Sequence, residues 1–168
     1  MSEFNRTTRE CPVNQLHPEV FRELKNYFQE KNLGDLETET VSCCETVSTK
    51  NRSGGLFSLL SPSVDTTIHT GVVLTSQWLV WVRSGDKSGT LLSAANLNNI
   101  SVSMYKSMFV NDTGLEIIGY IGDSKLVIRG YVGMGPEPAT QKFCDEVKQA
   151  ITTLNPPKPR TWPKWMGG

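Results

Sequence analysis

From Leu36 to Gly133 the chain alternates apolar and polar residues with a period of two and is rich in Thr, Val, Ile and aromatics. Successive side chains of a strand point to opposite faces, so alternation sustained this long builds antiparallel β structure on a repeated hairpin plan. Polar clusters punctuate it at short intervals: "NRSGG" from Asn51, "PSVD" from Pro62, "GDKSG" from Gly85, "NDTG" from Asn111 and "GDSK" from Gly122. Gly, Asn, Asp and Pro reverse the chain at little conformational cost, and these clusters divide the region into about seven strands. "LETETVSCCETVSTK" is expected to form the first, with "LFSLLS" after it, and "TLLSAANLNNISVSMY" one strand or two pieces broken at Asn98 and Asn99.

On both sides of this region the spacing becomes helical. In "HPEVFRELKNYFQEKNLG", Val20, Phe21, Leu24, Tyr27 and Phe28 fall on one face, Pro18 suits a first helical position, and Gly34 can supply a left-handed stop. Phe143, Val147, Ile151 and Leu154 mark a second helix from about Pro138 to Leu154, ended by Pro156 and Pro157. The expected organisation is therefore an extended or disordered N-terminus over residues 1–16, one domain over 17–154 with a leading helix at 17–33, and a tail over 155–168. That tail interleaves Trp162 and Trp165 with Lys158, Arg160 and Lys164 among four prolines, which keeps it out of any helix or central strand.

The segment "QWLVWVRSGDKSG" places Trp78 and Trp81 three residues apart, an odd number, so a strand sends the two rings to opposite faces. Trp78, Val80 and Val82 are uniformly apolar and are expected to face the core. Leu79, Trp81 and Arg83 then form the outer face, where Trp81 needs a cover. Three candidates exist: the Phe21, Leu24 and Phe28 stripe, favoured because it is always present; the tail tryptophans; and another chain.

Composition excludes more than it assigns. The 17 basic and 17 acidic side chains of the 168 residues cancel, which removes the overall positive field that draws proteins to nucleic acid, so no nucleic-acid partner is expected. No segment approaches the roughly 20 apolar residues of a membrane-spanning helix, and the N-terminus has no secretory pattern, so a soluble, cytoplasmic protein is expected. Cys11, Cys43, Cys44 and Cys144 show no C-x-x-C pair and are expected to be reduced thiols, with neighbours Cys43 and Cys44 on opposite faces of a strand. The N-x-S/T triplets at Asn5, Asn51, Asn99 and Asn111 are then chance matches.

Seven successive strands followed by one amphipathic helix resemble the pleckstrin-homology-like superfold, and "GVVLTSQWLVWV" resembles the strand, turn and strand at the centre of its bacterial and GRAM-type members. The resemblance covers about Leu36 to Leu154 and rests on element order. It implies a mainly β (α+β) fold: a seven-stranded antiparallel barrel of two orthogonal sheets, closed at one end by the C-terminal helix and decorated by the N-terminal helix. A helix-flanked antiparallel α+β sheet is the alternative.

No residue set dictates a reaction. His17 and His69, the only histidines, have no nucleophile and carboxylate arranged with them in sequence, and His69 is expected to be an ordinary strand residue. No enzyme activity, cofactor or metal is expected. The leading expectation is a non-enzymatic binding or adaptor module that engages a protein, or a second copy of itself, through Trp81, Trp162 and Trp165. The alternative is weak anionic-membrane or phospholipid contact, for which the resemblance points to the loop after the first strand, with Lys50 and Arg52, joined by Lys158 and Arg160 of the tail. A small enzyme or ligand carrier whose site converges only in three dimensions is the third reading.

Overall fold

The computed structural model describes residues 4–51, 65–106 and 113–156. "LFSLLS", Arg52 and the tail residues Lys158, Arg160, Trp162 and Trp165 lie outside them. The chain runs β1 (Phe4–Glu10), α1 (Pro18–Glu30), α2 (Leu36–Glu39), β2 (Ser42–Lys50), β3 (Thr67–Leu74), β4 (Trp78–Gly85), β5 (Gly89–Asn96), β6 (Ile100–Lys106), β7 (Thr113–Gly119), β8 (Ile128–Gly133) and α3 (Pro138–Leu154).

Among the described residues all strand pairing is antiparallel, and it makes a five-stranded sheet in the order β1-β2-β3-β4-β5 and a three-stranded sheet β6-β7-β8. The fold is thus mainly β with flanking helices. In place of the expected closed barrel, the two sheets are separate ladders among the described residues, with no strand pairing from β5 to β6 or from β8 to β1. Leu97–Asn99 forms a 3-10 turn whose start is capped by the Asn96 side chain, and this turn carries the chain from one sheet to the other. It is the break read at Asn98 and Asn99.

Two local readings are corrected. Leu36–Glu39 is a short helix, because Asp35 accepts hydrogen bonds from the Thr38 N–H and hydroxyl and so caps it, and the strand begins only at Ser42. The residue that closes α1 is Asn32, with φ of 53°, while the Leu33 N–H returns to the Phe28 carbonyl; Gly34, at φ 95°, comes after the stop.

The five-stranded sheet carries a core on each face. Toward α1 lie Cys43, Val73, Val80, Val82 and Ala94, packed with Val20, Leu24 and Phe28. Toward the second sheet and α3 lie Cys44, Val72, Leu74, Leu79 and Ala95, packed with Leu115, Ile117, Val132, Phe143, Cys144 and Val147. The two tryptophans follow this division, with the faces reversed from expectation. Trp78 packs on the α1 side, and Trp81 joins the core between the sheets, where Val102 and Met104 of β6 also pack. Both faces of β4 are apolar because both are covered, and in that case alternation separates the faces without saying which layer covers which.

Gly71 of β3 explains how α1 docks. A Cβ at this position would stand 2.5 Å from Val20 Cγ1 and 3.2 Å from Leu16 Cδ1. The bare backbone there lets the first turn of α1 lie directly on the sheet. Complete burial of Val20, Leu24 and Phe28 contributes about 1.5–3 kcal/mol for each side chain.

Candidate functional site

Two groups of polar side chains stand on opposite faces of the five-stranded sheet. The first lies under the start of α1. Glu45 of β2 is 4% exposed; its Oε2 accepts from Arg9 Nε at 3.0 Å and Arg9 Nη2 at 2.6 Å, and its Oε1 accepts from the His17 backbone N–H at 2.8 Å. Arg9 Nη2 also donates to the Gln15 carbonyl, so one buried carboxylate ties β1, the following turn and the helix start together. A carboxylate at a helix N-terminus is favoured by the helix dipole and satisfies an otherwise orphaned N–H.

His17 and His69 stack beside it, ring centroids 4.0 Å apart, with His69 Nδ1 3.8 Å from Glu45 Oε1. Both Nδ1 atoms are buried and lack a hydrogen-bond partner. Burial and the neighbouring His17 hold the His69 imidazole below its usual pKa, with Glu45 opposing them. The Ser84 hydroxyl, opposite His69 on β4, donates to Glu19 of α1. His69 is a half-buried residue of β3, with the His17 ring stacked on it and the Glu45 carboxylate 3.8 Å from its Nδ1. The His17 N–H to Glu45 and Ser84 hydroxyl to Glu19 bonds join α1 to the sheet, and the Arg9 bonds tie β1 to β2 and to the turn before the helix, which gives the group a docking role. Among the described residues no group of three His, Cys, Asp or Glu is placed to hold a metal.

The second group lies on the other face and opens as a cleft of about 390 Å³, lined from the five-stranded sheet by Arg6, Ser48, Thr70 and Arg83 and from the three-stranded sheet by Tyr105 and Tyr131. Strand register brings these together. Arg6 pairs with Ser48 and Thr70 pairs with Arg83, so the two arginines share one face in neighbouring rows across β1 to β4. Three strand spacings, roughly 14 Å, separate their strands, a span that two extended guanidinium side chains can bridge. The Arg6 side chain crosses Gly133, where a Cβ would stand 2.7 Å from its Nε, and burial lowers its pKa.

Arg83 Nη2 is 3.5 Å from Asp65 Oδ2. The Asp65 carboxylate is otherwise occupied by the Lys87 N–H at 2.7 Å, the Ser88 N–H at 2.8 Å and the Ser88 hydroxyl at 2.6 Å. These bonds, led by that of the Ser88 hydroxyl, hold its pKa at about 2. Asp65, just before β3, thus spends its carboxylate on the hairpin between β4 and β5 and engages Arg83 at one nitrogen only. Tyr105 and Tyr131 meet with ring centroids 5.0 Å apart, tilted by 58°, and Tyr131 is 52% exposed at the mouth. Guanidinium forks, hydroxyls and aromatic edges together suit a planar or tetrahedral anion.

Of the residues singled out in the sequence, Trp81 lies in the inter-sheet core and Lys50 stands at the end of β2, opposite Phe4. Arg6 was missed, and Arg83 was read only as a residue of the outer strand face, because the two are remote in sequence and join only through the register. The one available signal was Arg83 on an otherwise apolar strand face. Comparison with known proteins finds no matching family model, no matching curated protein and no matching solved structure.

Proposed function

We propose that this protein is a non-catalytic binding module that holds an anionic group in the cleft between its sheets. The observation that carries the reading is the convergence of Arg6 and Arg83 on one cleft of a chain whose net charge is zero. The two guanidiniums are a local feature, so the reading is of a site that selects one ligand group. The cleft is suited to phosphate, from a small phosphorylated molecule or from a lipid headgroup. The order β2 to β5, then β6 to β8, then α3 supports the pleckstrin-homology-like resemblance for residues 42–154, with β1 and α1 as additions.

Calorimetric titration with inorganic phosphate, a soluble inositol phosphate and anionic vesicles tests the reading and separates the sources. Each charge-assisted contact is worth about 1.5–3 kcal/mol, so R6Q and R83Q should each weaken binding roughly tenfold or more. Binding that both variants leave intact would refute the assignment, and so would no binding in any of the three titrations.

A second reading keeps the self-association expected from sequence but moves it away from Trp81. Strand β8 pairs only with β7 among the described residues, and at its start Leu126 and Val127 are 74% and 59% exposed beside Ile128. Two copies of an apolar edge strand can pair about a two-fold axis. L126K/V127K should then convert a dimer to a monomer in light scattering, and a wild-type monomer at high concentration would exclude this reading.

A further inference from the structure

Cys11 follows β1 directly and Cys43 is the second residue of β2. The ladder between these strands pairs Arg9 with Glu45 and Glu10 with Cys44, and the Cys11 N–H to Cys43 carbonyl bond of 3.2 Å carries it one residue further. Cys11 and Cys43 are thus directly opposed on one face. Opposed residues of a hydrogen-bonded antiparallel pair have Cα atoms about 5.5 Å apart, inside the roughly 4.4–6.8 Å range that a disulfide spans.

Both cysteines line a second, open cleft of about 530 Å³, together with Asn14, Glu37, Thr40 and Val41. A small oxidant therefore has a route to them. The two thiols differ in setting: Cys11 is 7% exposed and lies near the Arg9 guanidinium, which favours its thiolate, whereas Cys43 is 3% exposed. Cys44 points into the other core, where burial pushes it up to about 12, and Cys144 is wholly buried there.

We propose that Cys11 and Cys43 form a redox-active dithiol whose oxidation staples the edge strand β1 to β2. The oxidant class is a low-molecular-weight disulfide such as oxidised glutathione. The Cys11 thiolate attacks one sulfur of the small disulfide; that S–S bond breaks, one small thiolate leaves, and a mixed disulfide forms on Cys11. Cys43 gives its proton to the departing thiolate and attacks the Cys11 sulfur; the Cys11 to small-thiol S–S bond breaks and expels the second small thiolate, which takes up from water the proton that Cys11 released on ionising. Two protein thiols are oxidised and one small disulfide is reduced to two thiols. The closed loop contains α1, so oxidation fixes both β1 and the helix that follows it.

The test equilibrates the full chain in mixtures of oxidised and reduced glutathione, blocks the remaining thiols by alkylation, and maps peptides without reduction. The expected result is the loss of two hydrogen masses in a Cys11 to Cys43 peptide pair, with Cys44 and Cys144 alkylated only after unfolding. A loop of about thirty residues should also raise Tm by roughly 5–15 °C in the oxidised form. C43S should stop at a glutathione adduct on Cys11. Overturning results are a native chain that stays fully reduced, bridges that involve Cys44 or Cys144 equally, or a bridge without a rise in Tm. The wild-type map decides even if C43S fails to fold.

Discussion

Gly71→Ala tests the docking of α1 on the sheet with a single methyl group. In an open strand the change would be neutral or favourable, because Ala orders at lower entropic cost than Gly by about 0.4–1 kcal/mol. Here the added Cβ meets Val20 Cγ1 at 2.5 Å and the Leu16 methyls at 3.2 and 3.3 Å, and Val20 is fully buried. Overpacking at such a site costs about 1–3 kcal/mol, so the sign reverses and Tm falls by roughly 2–10 °C. Val20→Ala removes the atom that is struck. In the G71A background it should cost less than in wild type, giving a coupling of about 1–2 kcal/mol. Urea unfolding of the four proteins, followed by tryptophan fluorescence, supplies the cycle. G71A as stable as wild type, with a coupling near zero, would show that α1 does not rest on Gly71 and would refute the two-core arrangement.

Other outcomes follow from the two polar groups. Asp65→Asn removes the charged acceptor of three hydrogen bonds in the β4 to β5 hairpin and should cost about 1–3 kcal/mol in urea unfolding, together with faster amide exchange at Lys87 and Ser88. With the native carboxyl at about 2, below its ordinary value of 3.8, the contribution of Asp65 is complete above about pH 4 and is lost as pH falls toward 2; D65N should flatten the acid limb of the stability curve there. His69 acts with the same sign in a higher pH range. Its native pKa is lowered, so below its ordinary value of 6.5 the unfolded chain takes up a proton that the native state resists, and stability falls as pH drops through that value. H69N should reduce this slope between pH 7 and 5, as read by Tm across the range; an unchanged slope would place the titrating group elsewhere.

The parts of the fold legible in the sequence were those set by local period. The helix expected from about Pro138 to Leu154 is α3, and the stripe of Leu24 and Phe28 is the buried face of α1. Trp78 and Trp81 were correctly sent to opposite faces, but each face has its own core, and the identity of the covering layer depends on long-range packing. Strand β1, "FNRTTRE", shows almost no apolar alternation. It is held by polar contacts instead: Arg9 with Glu45, and Thr8 Oγ1 with the Thr46 hydroxyl and the Gly135 N–H. Those partners lie far along the chain. The same distance hid the arginine cleft and the cysteine pair, both of which arise where β1 meets strands more than thirty residues away. The tail motifs fall outside the described residues.

The proposed anion site requires Arg6 and Arg83 to bind one ligand together. Side-chain NMR of the arginine Nε-Hε groups during titration with inorganic phosphate measures this at the atoms concerned. The predicted result is saturable shifts of the Arg6 and Arg83 signals with one common midpoint, and loss of the Arg6 response in R83Q. Shifts that never saturate, or that appear equally at the exposed Arg22 and Arg129 side chains, would contradict it.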